Sequence, residues 1–207
     1  MTLEKNLRQG LRDMGLDLPP PVPEKLLNFL ELLEKWNQSY NLTAVRDPEQ
    51  MVPRHLLDSL SVLPYLRGAR VLDIGTGAGL PGIPLALARP DMEFTLLDSN
   101  AKKTRFATQA VHDLGLKNTR IVQERVEKFH PPEKFDTLIA RAFASIPDML
   151  AASRHLCAPD GRFLVMKGVF PQEELAAVTD GYRAEVKVLT VPGLDAARHM
   201  VMLAPVN

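Results

Sequence analysis

The sequence has few of the residues from which covalent or metal-stabilised sites are built. It contains one cysteine, Cys157, and five histidines, and no two histidines are spaced as His-x-x-x-His. A single cysteine cannot form an intramolecular disulfide, and it excludes a cysteine-rich metal site. We therefore expect a cytoplasmic protein without a bound metal. We place Cys157 at the end of a helix, as an unreactive core residue.

Charge of one sign and long apolar runs are also lacking. The 25 Lys and Arg residues balance the 25 Asp and Glu residues, so the formal net charge is zero. Phosphate binding normally leaves a basic excess, and any contact with RNA must therefore come from a local basic face. We expect neither a signal peptide nor a membrane span, because no apolar run is long enough. The 207 residues suffice for one domain with a small appendage.

The first third of the chain has helical patterns only. Residues 1–66 predict helices that are interrupted at the proline cluster 19–23, where fixed φ angles and missing N–H groups stop a helix. Leu26, Leu30 and Leu33 then recur at helical spacing, and a further helical segment is predicted from about Pro48 to Leu63. We expect residues 1–66 to form a helical extension that packs on a domain of residues 67–207.

From residue 70 onward, short apolar runs alternate with helix-length segments, which is typical of βαβ units. The predicted strands are residues 70–74, 93–97, 120–123, 135–140, 162–167, 182–191 and 198–204. Only Pro192-Gly193 separates the last two, which predicts an antiparallel pair at one sheet edge. The predicted class is α/β, a doubly wound, mostly parallel seven-stranded sheet. This pattern is similar to the class I S-adenosylmethionine-dependent methyltransferase fold.

Residues 71–82 contain the clearest chemical motif, VLDIGTGAGLPG. A glycine-rich turn between a strand and a helix lets the backbone approach a cofactor closely, although such a turn in isolation is often only a tight connection. Gly77, Gly79 and Gly82 match the dinucleotide fingerprint, but the match begins two residues late. Asp73 would repel a pyrophosphate and attract the ammonium group of a methionine moiety. The charge therefore favours S-adenosylmethionine.

Two later segments supply candidate contacts for the same cofactor. Asp98 follows the next strand about twenty residues after the glycines, where its carboxylate can accept hydrogen bonds from both ribose hydroxyls. Alternatively it caps the following helix, a role that either of the next two residues can also fill. Val126 and Glu127 follow the third strand and suit an adenine, with a backbone N–H and an acid. The alternative is that residues 124–128 form a solvated charged turn.

Four segments together carry a more specific pattern. They are residues 35–43, residues 54–59, the glycine-rich residues 73–82, and RAFAS at 141–145. The chain resembles the bacterial 7-methylguanosine methyltransferases of small-subunit ribosomal RNA, the glucose-inhibited division protein B family, over nearly its whole length. The resemblance implies methyl transfer from S-adenosylmethionine to N7 of a guanine in 16S ribosomal RNA. It implies cofactor contacts at Gly75, Leu80, Val126, Glu127 and Arg141, with Asp73, Gly77 and Asp98 expected beside them.

The predicted fourth strand ends in residues 141–143, which contain no proton acceptor. An exocyclic amine reacts more readily when a side chain accepts its proton, whereas guanine N7 has an in-plane lone pair and no proton. The sequence therefore favours N7, and leaves the protein to position the guanine. Arg141 and Phe143 are the candidate catalytic residues, with Phe143 stacking on the base or, alternatively, packing in the core. Pyrimidine C5 would need a cysteine, and Cys157 lies outside these loops.

Basic residues near the expected mouth of the site predict an RNA face. We assign substrate binding to Arg54, His55 and Lys167, whereas the basic residues 102–105 are typical of a solvated helix surface. Asp58 is expected to orient His55 or to pair with Arg54, although one helical turn creates such neighbours without any function. Two other classes stay open: a methyltransferase for another RNA position, a small molecule or a protein, and a non-catalytic nucleotide-binding regulator. We expect a monomer.

Overall fold

A computed structural model describes residues 2–141, 143, 145–178 and 181–206. Its strands are β1 (Arg70–Ile74), β2 (Glu93–Asp98), β3 (Thr119–Gln123), β4 (Phe135–Arg141), β5 (Cys157–Lys167), β6 (Tyr182–Val188) and β7 (His199–Pro205). They form one seven-stranded sheet in the order β3-β2-β1-β4-β5-β7-β6. Strand β7 runs antiparallel to both β5 and β6, and the other neighbouring pairs are parallel. The predicted sheet is confirmed.

The N-terminal segment is helical, as predicted. It contains α1 (Leu3–Asp13), α2 (Pro21–Tyr40), α3 (Pro48–Met51), a π-helical turn (Val52–Leu57), α4 (Asp58–Leu60) and a 3₁₀ turn (Leu63–Tyr65). Helix α2 begins inside the proline cluster, not after it, because a first-turn proline lacks only an N–H that has no helical partner. Pro53 lies in the π-helical turn, where its missing N–H leaves an ordinary helical hydrogen bond unmade.

Four further α-helices cover the two faces of the sheet. They are α5 (Gly82–Ala88), α6 (Ala101–Asp113), α7 (Ile146–Ser153) and α8 (Gln172–Ala176). One core cluster unites α2 residues such as Leu26 and Leu33 with Ile83 of α5 and Phe106 of α6. The other unites α7 with the opposite face of the central strands. The N-terminal helices therefore share a continuous core with the sheet. Among the described residues, no helix could cross a membrane.

Strand β5 begins earlier than the sequence predicts. It starts at Cys157, which pairs with Phe135, and the register shifts before the next pair. Cys157 therefore lies at the start of a strand, after a 3₁₀ turn (Arg154–Leu156), and its placement at a helix end was wrong. Residues 159–161, whose sequence is typical of a turn, belong to this irregular strand. A Cβ on Gly161 would lie 2.8 Å from the Cys157 sulfur, so the close approach requires a glycine there. Cys157 is buried, and burial raises the pKa of its thiol to about 11.

The connection between the last two strands is longer than predicted. Strand β6 ends at Val188 and β7 begins at His199, so residues 189–198 separate them, not Pro192-Gly193 alone. Leu189 and Val191 lie in this connection, where both are buried. Because they are apolar and alternate with other residues, the sequence predicts that the strand continues through them. This longer connection brings the residue before β7 to the carboxyl end of β5, since His199 pairs with Lys167.

Candidate functional site

The glycine-rich connection between β1 and α5 is built around the carboxylate of Asp73. This side chain is fully buried, and its Oδ2 accepts hydrogen bonds from the Thr76 hydroxyl at 2.6 Å and the Gly82 N–H at 2.8 Å. Its Oδ1 has no partner among the described residues. Burial raises the pKa of Asp73 to about 6, against the opposing effect of the two hydrogen bonds. Asp73 therefore ties the two ends of the loop together and places a negative charge beneath it.

The backbone at Gly75 is open to solvent space. Gly75 has a φ of +67°, and in the described part of the chain a Cβ built there would meet no atom within 4 Å apart from those of its two chain neighbours. Two residues later, the Gly77 N–H donates to Asp98 Oδ2 at 2.8 Å, which joins the loop to the end of β2. Leu80 is buried, and its N–H donates to the Thr76 carbonyl at 2.9 Å. Hydrogen bonds and the buried Leu80 therefore fix the side of the loop that faces the core, whereas the backbone at Gly75 is accessible to a ligand.

A cleft of about 180 Å³ lies at the carboxyl ends of β1, β2 and β3. It brings together five of the residues that the sequence singled out: Gly75, Asp98, Val126, Glu127 and Phe143. Its other lining residues are Ile74, Leu97, Ser99, Glu124 and Arg125. In an open α/β sheet, ligands bind outside the carboxyl ends of the strands, at the point where the strand order reverses. The order reverses between β1 and β4, and the cleft reaches this point through Gly75 after β1 and Phe143 after β4, while its other lining residues extend over β2 and β3.

Asp98 faces this cleft from the end of β2. Its Oδ1 accepts the Asn100 N–H at 2.8 Å, and Oδ2 accepts the Gly77 N–H. The cap of α6 is Asn100, whose side chain accepts from the Lys102 and Lys103 N–H groups, so the capping alternative for Asp98 was wrong. A carboxylate offers about four acceptor positions, and Asp98 therefore retains capacity for ligand hydroxyl groups.

The segment after β3 was interpreted from its sequence either as a contact for adenine or as a solvated charged turn, and the structure has features of both. A 3₁₀ turn (Val126–Lys128) follows the strand, with Val126 buried and Glu127 exposed. Both residues line the cleft, although the surrounding charged residues are solvated. An apolar side chain beside an exposed carboxylate suits a heterocycle that carries an amino group.

Asp58 forms an ion pair with two arginines that come from distant parts of the chain. Its Oδ2 lies 3.4 Å from Arg141 Nη1 and its Oδ1 lies 2.9 Å from Arg198 Nε. The Asp58 side chain is 4% exposed, whereas each arginine side chain is about one quarter exposed. Asp58 therefore neither orients His55 nor pairs with Arg54, and that expectation was wrong. The pair joins α4 to the ends of β4 and β7 and fixes the guanidinium of Arg141.

The three residues assigned to substrate binding differ in their surroundings. Arg54 is exposed, and its Nε donates to Gln50 Oε1 at 3.4 Å. Lys167 donates to Glu174 at 2.9 Å, so its charge is already compensated. His55 is buried, with Nε2 at 3.0 Å from the Thr43 hydroxyl. Burial, followed by the positive charge of Arg141, lowers the pKa of His55 to about 4, which keeps the ring neutral at physiological pH.

Sequence inspection missed Arg198 and Thr76. Arg198 belongs to no local motif, and only the antiparallel pairing of β7 with β5 brings it to the carboxyl edge of the sheet. A correct prediction of that register would have indicated it. Thr76 stands inside the glycine-rich motif and donates to Asp73, so its hydroxyl was visible in the sequence but attracted no prediction.

We expect Asp58→Ala to lower the free energy of unfolding by roughly 3 kcal/mol, because removal of one member of a buried ion pair leaves its partners uncompensated. Thermal and urea unfolding measure this effect. Asp91→Ala is the matched control, since the Arg89–Asp91 pair is exposed and such pairs contribute at most about 1 kcal/mol. Equal losses in the two variants would contradict a special role for Asp58.

Two solved methyltransferase structures have a similar fold. A SAM-dependent methyltransferase from Aquifex aeolicus matches with a TM-score of 0.60 at 19% identity, covering 86% of this chain and 97% of that one. The N-methyltransferase NodS from Bradyrhizobium japonicum, solved with S-adenosyl-l-homocysteine, matches with a TM-score of 0.60 at 15% identity, covering 84% and 100%. At these identities the likeness establishes the class I methyltransferase fold.

Closer relatives are found by sequence. The Nitrosococcus oceani protein named ribosomal RNA small subunit methyltransferase G is 53% identical over 203 residues, covering 98% of this chain and 95% of the relative. The Chromobacterium violaceum protein of the same name is 52% identical over 206 residues, covering 98% and 99%. The profile of the family described as rRNA small subunit methyltransferase G matches residues 23–201. The chain belongs to this methyltransferase family.

Proposed function

We propose that this protein transfers a methyl group from S-adenosylmethionine to N7 of a guanine in 16S ribosomal RNA. The observation that carries the proposal is the cleft in which the bare backbone of Gly75 meets the carboxylate of Asp98 and the ring of Phe143. Membership of the rRNA small subunit methyltransferase G family supports the substrate class. The proposal includes a monomeric enzyme that acts on the RNA or on the small ribosomal subunit.

The residues around the cleft fit S-adenosylmethionine. Gly75 leaves space that a side chain would fill, and the buried Asp73 beneath the loop has one oxygen with no hydrogen-bond partner among the residues that the structure describes. Asp73 supplies the negative charge for the methionine ammonium group, and Asp98 accepts hydrogen bonds from the ribose. The remaining contacts are assigned to Gly77 and Leu80 in the loop and to Val126, Glu127 and Arg141 at the strand ends. When bound, the cofactor supplies an electrophilic methyl group.

The protein's own contribution to the reaction is to hold guanine N7 in line with the methyl group that is transferred. Phe143 lines the cleft and also packs against the core cluster of α7, so its ring is held where a base entering the cleft can stack on it. Arg141 carries a permanent charge that Asp58 holds in place, and it can orient a substrate or cofactor group without exchanging a proton. Since N7 has no proton to lose, no step requires a general base.

Among the predicted RNA contacts, Arg54 is the residue best placed to meet a phosphate, because it is exposed and bears no opposing charge within salt-bridge distance in the described chain. Lys167 must first exchange Glu174 for a phosphate oxygen. His55, buried and neutral, would support the Arg54 segment from inside, through Thr43.

Mass spectrometry of nucleosides from 16S ribosomal RNA tests the proposal. RNA from cells that lack this protein should lose one 7-methylguanosine, and the purified protein with S-adenosylmethionine should restore it. A different methylated nucleoside would support the second candidate, another RNA position. An unchanged nucleoside profile would contradict both.

The charge of Asp73 predicts a pH dependence of cofactor binding. Its pKa of about 6 means that the carboxylate is protonated below that pH, where it no longer attracts an ammonium group. We expect the affinity for S-adenosylmethionine to be constant above about pH 7 and to fall by up to tenfold per pH unit below about pH 6. Calorimetric titration between about pH 5 and 8 measures this profile.

Two controls accompany this measurement. Asp73→Asn keeps a side-chain acceptor for the Gly82 N–H but has no charge, so its affinity should be lower and independent of pH. Methylthioadenosine lacks the amino-acid part and should bind the parent protein equally across the range. The same acid-induced fall for methylthioadenosine would show that the loop loses its shape, and would exclude the direct charge effect.

A further inference from the structure

A basic groove lies on the flank of the sheet, outside the cofactor cleft. It has a volume of about 570 Å³ and shares no lining residue with the cleft. Four cations line it: Arg67, Arg162, Arg183 and Lys187. Glu185 is the single carboxylate in the lining, and residues of β7 such as Met202 contribute apolar surface. We refer to this feature as the flank groove.

The fold fixes the cations of the flank groove on one side of the sheet. Every second residue of a strand points to the same face of the sheet. The edge strand β6 therefore presents Arg183, Glu185 and Lys187 on one face. Arg162 projects from β5, where it pairs with Thr137 near the start of β4. Arg183 pairs with Ala204, nearer the amino end of β5, whereas Lys187 pairs with Met200 and is level with Met166 near the carboxyl end of β5. The groove therefore runs along the β6 edge of the sheet, away from the strand ends that line the cofactor cleft.

The charges of the flank groove are poorly compensated. Glu185 pairs with Lys187 at 2.6 Å. Among residues 2–141, 143, 145–178 and 181–206, no salt bridge involves Arg67, Arg162 or Arg183. Partial burial and then the positive charge of Arg67 lower the pKa of Arg162, and the carboxylate of Glu185 opposes this effect only in part. Three guanidinium groups that repel one another in a groove form a site in which a bound anion would relieve the repulsion.

We propose that the flank groove binds the phosphate backbone of the ribosomal RNA substrate, as a second contact surface beyond the cleft. This inference rests on the proposed RNA methyltransferase function. A planar guanidinium matches the oxygens of a phosphate with two parallel hydrogen bonds, and several in a row suit a polyanion. The chain has zero net charge, so its affinity for RNA must come from such a local concentration. Tyr65 also lines the groove, and its ring, partly buried against the core, is a candidate surface for a base to stack on.

The double variant Arg67→Gln/Arg183→Gln tests this assignment, because both side chains are exposed and their loss should leave the fold intact. Binding to unmodified 16S ribosomal RNA, transcribed in vitro, should weaken roughly tenfold at moderate salt. The slope of log affinity against log salt concentration should fall by about 1.5, since two phosphate contacts are lost. The affinity for S-adenosylmethionine and the kcat should be unchanged, while the KM for RNA should rise.

The matched control removes two exposed cations from the opposite edge of the sheet. Lys117→Gln/Arg120→Gln changes the net charge equally and should leave the RNA affinity within about twofold. Glu185→Gln removes the carboxylate from the groove and should strengthen binding. Equal losses in the two double variants would overturn the inference, because net charge alone would then explain them.

Two further results separate this inference from its alternatives. A loss that appears with assembled small subunits but not with naked RNA would assign the groove to a ribosomal protein and overturn the RNA contact. A parent protein that methylates the RNA while both groove variants bind normally would overturn the groove assignment alone. A parent protein that methylates neither the naked RNA nor the assembled small subunit would overturn the proposed function itself.

Discussion

Gly75→Val is expected to weaken the binding of S-adenosylmethionine by roughly a hundredfold or more, a loss of about 2.7 kcal/mol. Among residues 2–141, 143, 145–178 and 181–206, no atom beyond the two chain neighbours lies within 4 Å of a Cβ built at this position, and Gly75 lines the cleft. The valine side chain would therefore occupy the space assigned to the cofactor. Isothermal titration calorimetry with S-adenosylmethionine and with its product S-adenosylhomocysteine measures the loss.

Backbone strain must be separated from this steric effect. Gly75 has a φ of +67°, a conformation that costs a β-branched residue about 1–2 kcal/mol of stability. Gly115 has a φ of +65° and equally open surroundings, but it lies after α6 and does not line the cleft. Gly115→Val should lose similar thermal stability and retain cofactor binding. If both variants lost binding equally, strain and not occupation of the cleft would be responsible.

The parts of the fold that were predictable from the sequence depend on local patterns. Strand β1 and the glycine turn after it were located because a short apolar run ends in glycines, and β1 has the predicted bounds, Arg70–Ile74. The apolar pattern gave the wrong strand bounds where residues are buried by tertiary packing without belonging to a strand. Leu189 and Val191 pack in the core, and their apolar side chains look like those of a strand in the sequence. Their backbone belongs to the connection between β6 and β7, so the apolar pattern alone predicted too long a strand.

The candidate site shows the same limit. Gly75, Asp98 and Val126 each follow a strand, and parallel strands bring their carboxyl ends to one edge, so their meeting in one cleft follows from local signals. The ion pair of Asp58 with Arg141 and Arg198 joins residues that lie 83 and 140 positions apart. Such a pair depends on the order of strands in the sheet, which no local pattern contains. For this reason Asp58 was assigned to its helical neighbours.

The choice of N7 as the methyl acceptor gives the second large effect. Replacing the target guanosine with 7-deazaguanosine removes the lone pair and should abolish methyl transfer, while the base retains its ring and its exocyclic amine. Replacing it with inosine removes the amine and retains N7, and transfer should continue. Single-turnover assays with a labelled methyl donor measure both substrates. An enzyme that methylates the exocyclic amine would show the opposite pattern.

The pH profile of the same single-turnover step provides an independent test of this chemistry. Residues 141–143 contain no proton acceptor, and N7 requires none, so at saturating S-adenosylmethionine the rate should not rise with pH between about pH 6.5 and 8.5. Saturation matters because the ionisation of Asp73 affects cofactor binding near pH 6. Asp98, Glu124 and Glu127 also line the cleft, and a rate that rises with pH would indicate that one of them removes a proton. That rise, together with transfer to 7-deazaguanosine, would establish an amine acceptor in place of N7.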